Sequence, residues 1–172
     1  MRLVCPYTEL RPETRMAAQL SGLRTRFEPM TYMANYYTLM QRLWKRGETF
    51  ILLEQDIVPT EAQFYDITIC GHDWCGFPYQ YASFGLYNGA GFTRFSGRLM
   101  AAFPTLITST KAFDDGVHPP RHWCTLDGWM RELLQKAGIQ KVDHSPPVRH
   151  LGVGSAHGCV EAREQQTEAG VR

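Results

Sequence analysis

Residues 50–60 read Phe-Ile-Leu-Leu-Glu-Gln-Asp-Ile-Val-Pro-Thr. Four apolar residues run into Glu54, Gln55 and Asp56, two more follow, and Pro59 ends the stretch. A continuous apolar run closed by a breaker is the pattern of a strand covered on both faces, as strands of parallel sheets are. If the strand continues through the triplet, its period of two sets Glu54 and Asp56 on one side and Gln55 on the other. Carboxylates so placed repel unless a cation lies beside them. Oxygen donors select Mg²⁺ or Mn²⁺, ions that also bind phosphate. Taken alone, the triplet is an even choice between a metal site and an ordinary strand end.

Working outward, strands and helices alternate. Leu3 to Cys5 reads as a short strand closed by Pro6, and RPETRMAAQLSG as a helix with Met16, Ala17, Leu20 and Leu23 on its apolar stripe. TYMANYYTLMQRLWKRG is the clearest helix: Met33, Tyr36, Tyr37, Met40, Leu43 and Trp44 form the stripe, and Gly47 stands where a cap belongs. A short helix is expected at PTEAQFYD, a strand around Ile67 to Cys70, and short strands with loops through the Gly- and aromatic-rich residues 70–95. SGRLMAAFP is a short helix, and AFDDGVHPPRHW has the composition of a mobile loop. Thr125 is placed to cap a helix through Lys136, and short strands follow near Lys141 to Val142 and Val148 to Leu151. No repeat interrupts this order. It predicts a single α/β domain over residues 1–154, with a central, mostly parallel sheet flanked by helices, and a polar tail over 155–172.

The totals narrow the class. A chain of 172 residues, 44% hydrophobic and 20% charged, suits one domain with a substantial core. No apolar run approaches the ~20 residues that span a bilayer, and MRLVCPYTEL does not read as a signal peptide. The expectation is a soluble cytoplasmic protein with no membrane partner. Five cysteines form an odd set without a disulfide-scaffold spacing, as in a reducing compartment. Cys70-x-His72-x₂-Cys75 offers zinc donor types, but this single hook lacks a second one of the usual spacing. Charge is uneven: residues 1–46 carry seven Arg and one Lys against three Glu, a net +5 in a chain of net +1. Such an excess is either a solvated face or a surface for an anionic partner.

Several pieces occur in an order that resembles the nucleotide-sugar-dependent glycosyltransferases of the GT-A fold, particularly small ones of phages and actinobacteria. They are VCPYTELRPET, FILLEQDIVP, CGHDWCGFPY, GFTRFS, HWCTLDGWM and VDHSPPVRHLG, covering roughly residues 2 to 152. The resemblance implies a Rossmann-like GT-A domain in which E-Q-D stands where the fold has its D-x-D-like motif. It implies Asp56 as ligand of Mn²⁺ or Mg²⁺, with Glu54 beside it at ribose, sugar or a metal-bound water. His150 matches the histidine that completes the metal site, and His144 is the second candidate. Asp127, two residues after the proposed cap, stands in the general base's place, where a helix start also holds a carboxylate ionised. His122 is a candidate for phosphate or acceptor, Trp123 for stacking on sugar or acceptor, Asp73 for sugar hydroxyls or orienting the acceptor, and Arg94 for phosphate. Tyr7, Thr8 and Arg11, after the first strand, are implied at the nucleotide.

The activity implied is metal-dependent transfer of a sugar from a nucleotide sugar, a UDP-sugar foremost, to an acceptor hydroxyl with inversion. Hydroxymethylated bases of phage DNA, proteins and small hydroxyl compounds are the acceptor classes. For a phage chain, the host cytoplasm would be the place. Two rivals from other classes stand beside this reading. A metal-dependent nuclease could use Glu54, Asp56 and Asp73, although no lysine follows the acids until Lys111. A non-catalytic sugar- or nucleic-acid-binding module fits the aromatic-rich centre and the basic N-terminal part.

Overall fold

The computed structural model describes residues 1–31, 34–81, 85–109 and 123–152. The loop expected at AFDDGVHPPRHW and the tail at 155–172 fall largely or wholly outside these residues. The elements run β1 (Arg2–Tyr7), α1 (Pro12–Leu20), β2 (Thr25–Pro29), α2 (Ala34–Arg46), β3 (Phe50–Leu53), β4 (Ile57–Val58), α3 (Glu61–Ile69), β5 (Trp74–Gly76), β6 (Tyr79–Tyr81), β7 (Gly85–Tyr87), β8 (Phe92–Phe95), α4 (Gly97–Ala102), α5 (Leu106–Ser109), α6 (Trp123–Lys136), β9 (Val142–Asp143) and β10 (Arg149–His150).

Six strands form one sheet in the order β2-β1-β3-β8-β5-β9. All run one way except β8, which is antiparallel to both β3 and β5. The mixed, mostly parallel α/β class expected from the sequence is the one the chain adopts. FILL explains why. Phe50 and Leu52 enter the apolar cluster under α2, α4, α5 and α6, while Ile51 and Leu53 enter the opposite cluster under α1 and α3. All four are at most 1% exposed, as a strand between two helical layers must be.

FILLEQDIV is nevertheless two strands rather than one. The amide of Ile57 donates to the carbonyl of Glu54 at 3.2 Å, so residues 54–57 turn and β4 leaves the sheet. β4 pairs instead with β10, antiparallel, with His150 opposite Ile57 and Arg149 opposite Val58.

Other elements also differ from expectation. β1 runs through Pro6, at a register where it pairs only with β2, so the missing amide breaks no ladder bond to β3. In α1 the buried residues are Thr14 and Ala18, while Met16 and Leu20 are 61% and 76% exposed. Ala17, expected on the stripe, packs partly buried against the cluster under α1 and α3. The strand expected at Ile67 to Cys70 is the end of α3, which starts from a capping box of Thr60 and Gln63 and continues through the apolar run. Of the expected α2 stripe, Tyr36, Tyr37, Met40, Leu43 and Trp44 are buried, Met33 lies outside the described residues, and Gly47 follows with φ of 66°.

Candidate active site

The turn after β3 lies at the carboxyl edge of the sheet, where open α/β folds receive ligands. Its three polar residues diverge. Gln55 turns to the β1–α1 loop, and its side-chain oxygen accepts from the amides of Thr8 (2.6 Å) and Glu9 (2.9 Å) and from the Thr8 hydroxyl (3.1 Å). Its backbone carbonyl accepts from the Arg11 amide at 3.1 Å. Tyr7, Thr8 and Arg11 are thus at the same edge as the acids, tied to them through Gln55. The Arg11 guanidinium reaches Glu9 at 3.2 Å.

Asp56 is buried, and its Oδ2 lies 3.3 Å from His150 Nε2, also buried. Two devices set this pair. The Leu151 amide donates to the Asp56 carbonyl at 2.7 Å, and the imidazole stacks on Tyr79 with centroids 5.1 Å apart. Gly152 leaves the space: a Cβ there would stand 2.6 Å from His150 Cε1 and 2.7 Å from Asp56 Oδ2. A carboxylate oxygen and an imidazole nitrogen this close can be adjacent ligands of one divalent ion.

Glu54 is half-buried with its amide on the Gly91 carbonyl at 2.8 Å. Burial, then the charges of Asp127 and Asp56, raise its carboxyl well above the ordinary range. Asp127 therefore belongs to the same acid group, though α6 and β3 are far apart in sequence. Its support differs from that expected. α6 runs Trp123–Lys136, so Thr125 lies inside the helix, and Asp127 sits on the second turn rather than at the N-terminus. What holds it is the Ala90 amide, donating to Oδ2 at 2.8 Å. Burial raises its pKa above the usual Asp value, against the lowering by that amide and by Lys141 and Arg131.

The segment 88–90 that supplies the amide is pinned on several sides. Lys141 Nζ donates to Asn88 Oδ1 and, at 2.7 Å, to the Gly89 carbonyl. Arg131 donates to the Asn88 carbonyl and the Asn88 amide side chain to Asp143. Burial pushes Lys141 down to about 8. Sequence reasoning missed Lys141, Asn88, Ala90, Arg131 and Tyr79, because support of this kind comes from residues brought together by topology. The lysine sought near the acids in sequence is near them in space, yet it is engaged on backbone and amide oxygens.

Other expected site residues stand elsewhere. Asp73 precedes β5, and because Trp74 pairs with Phe95 and Phe95 with Phe50, it lies at the amino edge, away from the acids. There it accepts from the Ser96 hydroxyl (2.7 Å) and Arg98 Nε (2.8 Å), which hold its carboxyl below the usual range. Arg94 pairs with Ile51 and Cys75 in mid-sheet and donates to the His72 carbonyl at 2.6 Å. His144 stacks on Phe77 and groups with Cys70 and Cys75 rather than with Asp56. His122 and the Trp123 side chain lie outside the described residues. In the N-terminal part Arg2 meets Glu48, Arg26 and Arg42 share Glu28, and Arg15 lies over Phe27, so most of the positive excess of residues 1–46 persists.

No family model and no curated protein matches the sequence. Solved structures do match, 44 chains in all. A197 from STIV superposes with a TM-score of 0.56 at 13% identity, over 84% of this chain and 82% of that one. A glycosyltransferase involved in the glycosylation of the major capsid of PBCV-1 superposes with a TM-score of 0.54 at 10% identity, over 93% and 98% of the two chains. This is a fold that a glycosyltransferase uses. At such identities the likeness is one of architecture. No described helix is long and apolar enough to cross a membrane.

Proposed function

We propose that the chain transfers a sugar from a nucleoside-diphosphate sugar, a UDP-sugar in the first place, to an acceptor hydroxyl. The observation that carries this reading is the meeting of Glu54, Asp56, Asp127 and His150 at the carboxyl edge of the sheet. Asp56 and His150 would hold Mn²⁺ or Mg²⁺, which neutralises charge on a diphosphate. Asp127 takes the acceptor's hydroxyl proton as that oxygen bonds to the anomeric carbon. The bond from the anomeric carbon to the phosphate oxygen breaks, and the nucleoside diphosphate leaves with the electron pair. A single displacement inverts the anomeric centre. Pinning segment 88–90 keeps the base in position before substrate arrives, so little reorganisation is left for the reaction. Tyr7, Thr8 and Arg11 fit the nucleotide end of the donor, since Gln55 holds their loop beside the acids.

The test is a panel of sugar nucleotides, with and without Mn²⁺, against hydroxymethylated DNA, protein and small hydroxyl acceptors. Donor consumption that needs Mn²⁺ and fails in Asp56→Asn supports the reading. No turnover of any donor, with nucleotides released from DNA instead, would support a nuclease. Ligand binding that survives Asp56→Ala without turnover would support a binding module. The product's anomeric configuration by NMR decides inversion.

A further inference from the structure

On the opposite face of β5 from the large aromatic cluster lies a second group of donors. Cys70 ends α3, Cys75 is central in β5, and His144 follows β9. One ligand atom of each lies within 4.8 Å of the others. We propose that Cys70, Cys75 and His144 bind a zinc ion, a site separate from that of Asp56 and His150 and independent of the glycosyltransferase reading.

The geometry suits a tetrahedral ion. Two sulfurs at about 2.3 Å from one zinc stand about 3.8 Å apart, and an imidazole nitrogen at about 2.0 Å closes the same small triangle. Both thiols are buried, and the His144 ring is fixed by stacking on Phe77, with centroids 4.9 Å apart. His144 Nε2 is buried with no hydrogen-bond partner among the described residues. A buried, unsatisfied nitrogen on a ring that stands beside two thiols is costly without an ion, and an ion bound through that nitrogen would account for it. Arg94 Nε, also buried without a partner, lies beside Cys75 and can donate to its sulfur, which offsets thiolate charge. Asp66 and His72 are near enough to act electrostatically on the imidazole.

Donor softness separates the two sites. Two thiolates and an imidazole select zinc, whereas carboxylate with imidazole accepts harder ions. Burial and the neighbouring Cys70 raise the Cys75 thiol, so Cys75 is protonated at neutral pH in the empty site and gives up that proton on binding. An ion here would join the end of α3, β5 and the segment leading to β10.

The experiment is metal analysis of the full chain purified without chelator under reducing conditions, followed by Co²⁺ substitution. About one zinc per chain is expected, with a thiolate-to-cobalt charge-transfer band in the exchanged protein. His144→Phe, which keeps the stacking on Phe77, should lower zinc affinity by at least about tenfold. Asp56→Asn should leave the zinc in place. The proposal is overturned if the chain neither retains zinc nor takes up cobalt. A cobalt complex lacking the thiolate band overturns it, as does unchanged zinc affinity in a folded His144→Phe protein. A Cys70–Cys75 disulfide persisting under these conditions overturns it as well.

Discussion

Asp127 receives one backbone amide and feels two cations, so its proton affinity is set by burial against the Ala90 amide, Lys141 and Arg131. A base must be ionised, and a raised pKa moves the loss of activity to higher pH. The acid limb of kcat/KM should therefore fall above the ordinary aspartate range, and a pH–rate profile measures it. Asp127→Asn removes the proposed base while keeping an acceptor for the Ala90 amide. We expect kcat to drop by about 10²–10⁴ with donor KM little changed. At the proposed metal pair, Asp56 and His150, the sensitive position is Gly152. Gly152→Ala must push aside His150 or Asp56, so the Mn²⁺ needed for half-maximal rate should rise about tenfold or more. Thermal unfolding should move little, which separates this effect from misfolding.

Among the elements, helix starts carry measurable stability. Thr60 accepts from the Gln63 amide and Gln63 returns the bond, so Thr60→Ala should cost about 1 kcal/mol by urea denaturation. Ser96 does the same for α4 through the Leu99 amide at 3.0 Å and is itself fixed by Asp73. Because the Asp73 pKa is lowered in the fold, its stabilisation is present above the unfolded value of about 3.9 and is lost as pH falls through the folded one. Wild type and Asp73→Asn should thus differ at neutral pH and converge in acid. The α2 stripe was legible because one periodicity and one cap agreed. The α1 stripe was not, since its contact is made through Thr14 and Ala18, residues that hydropathy does not mark. The turn at 54–57 was hidden for a different reason. Ile57 and Val58 look like continued strand, and only the partner β10, distant in sequence, shows where they belong.

Across the whole molecule, the sheet separates two apolar clusters, and Phe95 joins the aromatic residues of one. It contacts the rings of Trp44, Phe50 and Trp74 at 5.7, 5.3 and 6.5 Å. Phe95→Ala should cost about 3–5 kcal/mol, read from the urea midpoint. Of the candidate site, Glu54, Asp56, Asp127 and His150 were legible as types in order along the chain. Asp73 and Arg94 misled because adjacency to a strand does not tell which end of the sheet a residue meets. The pairing of β10 with β4 also sets a timetable. A nascent chain that has emerged through Asp143 already contains all six strands of the sheet and the proposed base Asp127, but not His150, the neighbour of Asp56. Competence to hold the proposed ion would thus be acquired only once β10 has joined β4, after every strand of the main sheet has been made.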